Sequence, residues 1–367
     1  MRDHEPVLKE ERQGRAFVHL FRHSDCIQAL QDHNLWSSDI PEFEELLLGD
    51  AAILIQDDPP DHTKYRIAVT PWVNQMTANA SKLMKTGFDP LRDELNKDSI
   101  DAVALAEQIT TEVLTLFFGF RHNELECLKS WSSRFGDGVG IEFLEFEGEN
   151  VETQINFVRE MHVELDDFLD SLITNPPEPI GCLINSLESS LGDQLLSRAL
   201  LKSLIFASGH TLSGQIANSL EVLATQGKEK QELLSVNSGS QSRQIAEECI
   251  RIRPVFRGSH RVAKRDSEVR GIKVFAGDYL IVWNASANLD RRAFNKPETI
   301  EPAGRKLRHT SFGSGIHRCI GATLGSQVIT AIVSQVLRAQ RTLSVKSSTP
   351  AKDPWVDSFE ALEIAVY

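Results

Sequence analysis

The residues Ser311-Phe312-Gly313-Ser314-Gly315-Ile316-His317-Arg318-Cys319-Ile320-Gly321 constrain this chain more than any other stretch. They deliver one cysteine to the start of a helix predicted from near Ile320. Ile320, Leu324, Val328, Ile332 and Val336 mark that helix at steps of four. A helix N-terminus presents unpaired N–H groups and the positive end of its dipole, and both stabilise a thiolate. The glycines let backbone approach a flat ligand closely. Taken alone, the same residues also describe a buried cysteine behind a flexible loop, so the rest of the chain must decide.

Most other segments read helical. Leu105, Ile109, Val113 and Phe117 form one apolar stripe within 101–120, and Val158, Met161, Leu165, Phe168, Leu169 and Leu172 form another, stopped by Pro176-Pro177. Residues 200–223 are apolar on several faces, which predicts a buried central helix. Extended runs are short: 17–21, 272–275, 279–282 and 362–367. The Ser-rich stretch 235–242 reads as a loop. No repeat and no linker divides the chain. The expectation is a mainly α fold with small β-sheets, forming a single domain over residues 1–367 with a short N-terminal part before about residue 17.

Composition narrows the function. A net charge of -13 disfavours nucleic acid and anionic membrane surfaces as partners. No apolar run reaches the ~18 residues of a membrane span. The first fifteen residues are charged and carry no apolar signal core, so a cytoplasmic location is expected. The five cysteines, Cys26, Cys127, Cys182, Cys249 and Cys319, are scattered and form no CxxC pair. That pattern predicts neither a disulfide scaffold nor a zinc site, and fits a reducing compartment.

The pattern Phe-Gly-x-Gly-x-His-x-Cys-x-Gly, carried here by Phe312, Gly313, Gly315, His317, Cys319 and Gly321, resembles the haem-binding loop of the cytochrome P450 family. The resemblance implies the cytochrome P450 fold and haem b (iron protoporphyrin IX), with O2 as co-substrate. It implies Cys319 as the axial iron ligand, whose electron donation promotes O–O cleavage. It places Phe312 near the sulfur, and Gly313 and His317 in the cofactor-binding set.

Upstream segments extend the resemblance over nearly the whole chain from about Phe17. Glu248-Cys249-Ile250-Arg251 matches the ExxR motif, which in the family forms a buried ion-pair network; alone, such an i,i+3 pair is usually solvated. Glu248 and Arg251 are thus expected to be structural. Arg261 corresponds to an arginine that binds a haem propionate with its two-pronged fork. Asp58-Pro59-Pro60-Asp61-His62-Thr63-Lys64-Tyr65-Arg66 resembles the family's Asp-Pro-Pro-x-His-x-x-x-Arg, which puts His62 and Arg66 on one helix face toward the same propionate edge. Ala287-Asn288-Leu289-Asp290-Arg291-Arg292-Ala293-Phe294 resembles the family's meander, with Leu289 for the usual Arg and Arg291 for the usual Pro. The family also usually has a further helix and strand before the position of Phe17.

The central helix departs from the family pattern Ala-Gly-x-Asp/Glu-Thr. Without a gap it falls on Ala207-Ser208-Gly209-His210-Thr211. Thr211 then keeps the oxygen-binding alcohol, and His210 replaces the acid. A register shifted by one would align Gly209 but put Thr211 at the acid position and Leu212 at the Thr position. In the first register His210 faces away and leaves the work to water, or reroutes proton delivery, or marks chemistry less dependent on it. Phenol coupling and peroxide-driven turnover are of that kind.

The resemblance implies electrons from a ferredoxin or flavodoxin and its reductase. Those partners are acidic, and Arg305, Lys306, Arg308, Arg318 and Lys64 would offer local positive charge. The substrate is expected to be a small molecule, either free or bound to a carrier, held by 37–55, 139–158 and the helix near Phe206. Phe143 and Phe146 could line that pocket, and the neighbouring acids Glu142, Glu145, Glu147 and Glu149 read as a solvated loop or as attraction for a cation. The rival of another class is a haem-thiolate protein that binds a ligand without turning it over.

Overall fold

The computed structural model describes residues 3–12, 15–40, 53–84, 87–121, 123–127, 151–236, 238–302, 308–353 and 355–367. Its principal helices are α1 (His23–Gln31), α2 (Asp61–Leu83), α3 (Ala102–Phe118), α4 (Val151–Thr174), α5 (Glu178–Leu191), α6 (Gln194–Thr225), α7 (Ser238–Ile252) and α8 (Ala322–Ala339). The strands are β1 (Val7–Arg12), β2 (Arg15–Leu20), β3 (Trp36–Ser37), β4 (Ser99–Asp101), β5 (Ser259–Ala263), β6 (Ser267–Val269), β7 (Ile272–Val274), β8 (Tyr279–Val282), β9 (Leu343–Pro350) and β10 (Phe359–Val366). They form a five-stranded sheet in the order β1-β2-β8-β5-β3, a three-stranded sheet β4-β10-β9 and the hairpin β6-β7. This is the expected mainly α fold with small sheets.

The apolar stripes place the helices. Leu105, Ile109 and Val113 of α3 are fully buried against α6, as are Leu200, Leu201, Ile205, Ile216 and Leu220 of α6 itself. The side chain of Asp101 caps α3 by accepting from the amides of Val103 and Ala104, and Gly119 ends it in the left-handed region. Asp193 caps α6 in the same way. A second core lies under the five-stranded sheet, where Val18, Leu20, Leu280 and Val282 meet Cys26, Ala29 and Leu30 of α1.

Two readings change. The Ser-rich segment 235–242 is helical on both sides of residue 237, because α7 begins at Ser238. The amphipathic run Ile245-Cys249-Ile252 draws the serines into its first turn, where short polar side chains are favoured. A strand also precedes Phe17: β1 pairs with β2 from Val7↔Leu20 to Arg12↔Arg15. The alternation was hidden by its charges, which an edge strand tolerates.

Glu248 and Arg251 form the network expected of them. Arg251 is 1% exposed and Glu248 2%. The guanidinium donates from Nε and Nη2 to the two carboxylate oxygens at 2.7 and 2.9 Å. Its Nη1 donates to the carbonyls of Asn288 and Pro297, both at 2.8 Å, and the group lies over the Phe294 ring. Glu248 also accepts from the amide of Glu301 at 2.9 Å. The pair therefore ties α7 to chain 288–301, despite Leu289 and Arg291. Replacing Arg251 with Met should strand a buried carboxylate and cost about 3–5 kcal/mol of unfolding free energy. Urea titration checks this, and a loss below about 1 kcal/mol would mean a surface-like pair.

Candidate functional site

The loop before α8 holds Cys319 as its spacing predicted. Gly313 and Gly315 adopt φ of +67° and +74°. A Cβ on Gly315 would lie 2.5 Å from the Leu30 carbonyl, so only glycine lets the loop seat on the end of α1. The Cys319 amide donates to the Phe312 carbonyl at 2.8 Å, and the Phe312 ring packs on Gly325 of α8. The helix starts at Ala322, two residues later than the sequence pattern suggested, so the amides of Gly321 and Ala322 stand at its beginning, the latter also donating to the Cys319 carbonyl at 3.3 Å.

Those amides point at the sulfur. Burial pushes the Cys319 thiol up, while the Gly321 and Ala322 amides and the cations Arg66 and Arg318 pull it down. The residue is nonetheless solvent-accessible. A thiol surrounded by protein yet reached by solvent faces an opening in the protein.

His62, Arg66, Arg261 and His317 gather near this thiol. The His62 and His317 rings are 4.1 Å apart. Burial, then Arg66, pushes His62 down to about 4. Burial, then Arg261, pushes His317 down to about 3. Burial lowers Arg261 to about 10, and its Nη1 donates to the His260 carbonyl at 2.5 Å. His62 Nε2 and both ring nitrogens of His317 are buried without a hydrogen-bond partner among the described residues. Buried donors of this kind are costly unless an anion meets them. Two arginines and two partnerless imidazoles therefore suit a ligand carrying carboxylates, which is the chemistry of haem propionates.

Asp58 anchors this edge and was quoted in the sequence only as part of a motif. Its Oδ2 accepts from Ser37 Oγ and from Lys264 Nζ, each at 2.6 Å, and its Oδ1 lies 4.0 Å from His317 Nε2. With His317 neutral at ordinary pH, that last contact is no ion pair. His309, three residues before Phe312, pairs with Glu247 of α7 at 3.0 Å and was not anticipated either.

The central helix α6 is buried on both sides of residues 207–213, yet Ala207 is exposed and Ser208, His210 and Thr211 are half-buried. The Thr211 hydroxyl donates to the Ala207 carbonyl at 2.7 Å. Glu248 and Arg251 stand apart from the thiol, within the network described above. Of the predicted substrate and docking segments, residues 41–52 and 139–150, with Phe143, Phe146 and their acids, and Arg305 and Lys306 lie outside the described residues.

A cytochrome P450 family model matches residues 242–358, which span the Glu248–Arg251 pair and the Cys319 loop. A Streptomyces fradiae enzyme, 20-oxo-5-O-mycaminosyltylactone 23-monooxygenase, is 24% identical over 355 residues, covering 92% of this chain and 80% of its own. The chain is similar to cytochrome P450 proteins over nearly its whole length. Two solved structures share the fold. CYP109E1 of Bacillus megaterium, in complex with testosterone, has a TM-score of 0.83 at 23% identity, covering 100% of this chain and 95% of its own. P450BioI, in complex with a fatty-acyl-ligated acyl carrier protein, has a TM-score of 0.81 at 16% identity, covering 99% and 96%. The chain is thus an oxidoreductase of the cytochrome P450 type, a family that uses haem and O2. No helix among the described residues is long and apolar enough to cross a membrane.

The depressed histidines set a pH dependence for the chain before haem is loaded. Unfolded, each titrates near about 6.5; folded, His62 titrates at about 4 and His317 and His260 at about 3. Between these values the unfolded state binds more protons, so stability falls as pH drops from 6.5 toward 4. His62→Gln should make that slope shallower. Stability that stays flat or rises on acidification over this window would contradict the burial of neutral imidazoles.

Proposed function

We propose that the chain is a haem-thiolate monooxygenase. It oxidises a small organic metabolite with O2 and electrons from a ferredoxin-type partner. The observation that carries this reading is the accessible Cys319 sulfur facing two helix amides beside an edge of arginines and partnerless imidazoles. Cys319 would ligate the iron of haem b, with Phe312 and Gly313 shaping the loop around the sulfur. His62, Arg66, Arg261 and His317 would bind the propionates, and Glu248 and Arg251 serve structure. Bound haem supplies the iron at which O2 is activated for transfer to substrate.

The chain's own residues govern protons. The open stretch of α6 at 207–213 supports the register that aligns His210 and Thr211 with the family's acid and alcohol. Thr211 holds its proton toward the Ala207 carbonyl, which leaves Oγ1 lone pairs to accept a further hydrogen bond. His210 takes and passes protons in place of the acid. That replacement is also what favours a second reading, oxidative coupling or peroxide-driven turnover. Exposed Lys64, Arg308 and Arg318 support docking of an acidic ferredoxin or flavodoxin, supplied by its reductase. The acyl-carrier complex of P450BioI supports a carrier-bound substrate as the alternative to a free one. We place the protein in the cytoplasm as one domain over residues 1–367.

The test begins with ferric-haem absorption against free and carrier-bound metabolites. A compound that shifts the band is then supplied with ferredoxin, its reductase and O2. Wild-type protein should form oxidised product, and His210→Ala should form it about 10²-fold more slowly, with electrons lost to peroxide. Arg318→Glu should slow reduction by ferredoxin. Product from peroxide alone would select the second reading, and binding without product from either oxidant would make this a ligand-binding protein. An unaltered His210→Ala would sink the relay.

A further inference from the structure

One face of the five-stranded sheet carries a run of rings that the haem site does not use. His19 of β2, Phe21 just after it, and Trp283 just after β8 lie nearly parallel: His19 and Trp283 at 6.1 Å and 12°, Phe21 and Trp283 at 6.5 Å and 5°. Trp283 stacks on Trp355, from the connection between β9 and β10, at 5.1 Å and 7°. Trp355 meets His260 edge-on at 4.1 Å. His260 precedes Arg261, the arginine assigned above to a propionate, and is hydrogen-bonded to it through its carbonyl. Offset stacking stabilises aromatic pairs, but it does not require two tryptophans in line with the polar edge of a cofactor site. Gly258 makes room for the line, since a Cβ there would lie 2.8 Å from the Trp355 ring.

The outer end has a further feature. Trp283 Nε1 lies 3.0 Å from His19 Nδ1, and His19 Nε2 lies 2.9 Å from Glu10 Oε1. Indole N–H only donates, so His19 Nδ1 must accept and its Nε2 must carry the proton given to Glu10. Burial keeps His19 below its ordinary value, and hence neutral and ready to accept. An indole that loses an electron becomes a strong acid. Trp283 therefore has a base in hydrogen-bond contact, backed by a carboxylate. The side chains of His19 and Glu10 are 12% and 31% exposed, so this end reaches solvent.

We propose that Trp355, Trp283, His19 and Glu10 form an electron relay that drains oxidising equivalents from the haem edge at Arg261 to the surface when no substrate is present. The proposal rests on the haem-binding reading above. Trp355 gives one electron toward the cofactor and is refilled by Trp283. The Trp283 N–H proton crosses to His19 Nδ1, and Glu10 holds the resulting imidazolium. A surface reductant of the thiol class returns the electron, and the proton moves back. Two passes clear both equivalents of one peroxide: hydrogen peroxide and two thiols give two waters and one disulfide.

The experiment uses the full chain loaded with haem, without substrate, mixed with hydrogen peroxide and freeze-quenched for electron paramagnetic resonance. Haem bleaching is followed in parallel. Wild-type protein should show an indole radical. Trp283→Phe, which keeps a ring in the stack, should lose the Trp283 signal and bleach several-fold faster at matched haem content and melting temperature. His19→Leu leaves both indoles in place and should lower radical yield and also speed bleaching, which covers the case of a poorly folded tryptophan variant. Unchanged radical and bleaching in both variants, or no protein radical in a haem-loaded wild type, overturns this proposal alone. A wild-type chain that takes up no haem overturns it together with the haem reading.

Discussion

The buried fork between Arg251 and Glu248 organises the half of the molecule that carries the site. Both groups are out of water, so each must find every partner inside the protein. The guanidinium finds them on the carboxylate and on the carbonyls of Asn288 and Pro297, and the carboxylate on the Glu301 amide. These partners belong to the chain leading toward the Cys319 loop. Asn288 continues the connection, since its side chain bonds to Thr310 and Ser311 just before Phe312. The position of the thiol is thereby coupled to a charge pair on a different helix.

The cleft edge shows the opposite economy. His62, His317, Arg66 and Arg261 are buried or half-buried without a full set of internal partners among the described residues, and Asp58 offers an opposing charge to His62, His317 and Arg261. Such an arrangement lowers stability by itself and gains it from an anionic ligand, because binding to the folded state only shifts the balance toward folding. Lys264 and Ser37 occupy the other oxygen of Asp58 and fix its direction. On the proposed haem-binding reading, fold and cofactor affinity are linked through five side chains from α2, β5, the preceding turn and the Cys319 loop.

Much of this was legible in the sequence because the motifs impose backbone as well as chemistry. The glycines at 313 and 315 were readable from the pattern, and their left-handed conformations and the contact with Leu30 give the reason they must be glycine. The i,i+4 spacing of His62 and Arg66 placed both on α2, and the apolar content of 200–223 identified α6. Other features depend on partners distant in sequence. Lys264 meets Asp58 across some two hundred residues, and His309 meets Glu247 across sixty-two. No local pattern marks such pairs. β1 was missed because its exposed face is charged, and the first turn of α7 because serine is as common in loops as at helix starts. The aromatic line from His19 to His260 draws on strands β2 and β5 and on residues following β8 and β9, so only the sheet register brings it together.

The central claim is that Cys319, as a thiolate, holds the iron. It is tested most directly by the absorption of the reduced, carbon monoxide-bound protein, wild type against Cys319→His. Thiolate ligation should give the wild type a strongly red-shifted Soret band, and the variant should show the shorter-wavelength band of imidazole ligation. The same band in both proteins would mean that iron is held elsewhere, and the account of the site would fall with it.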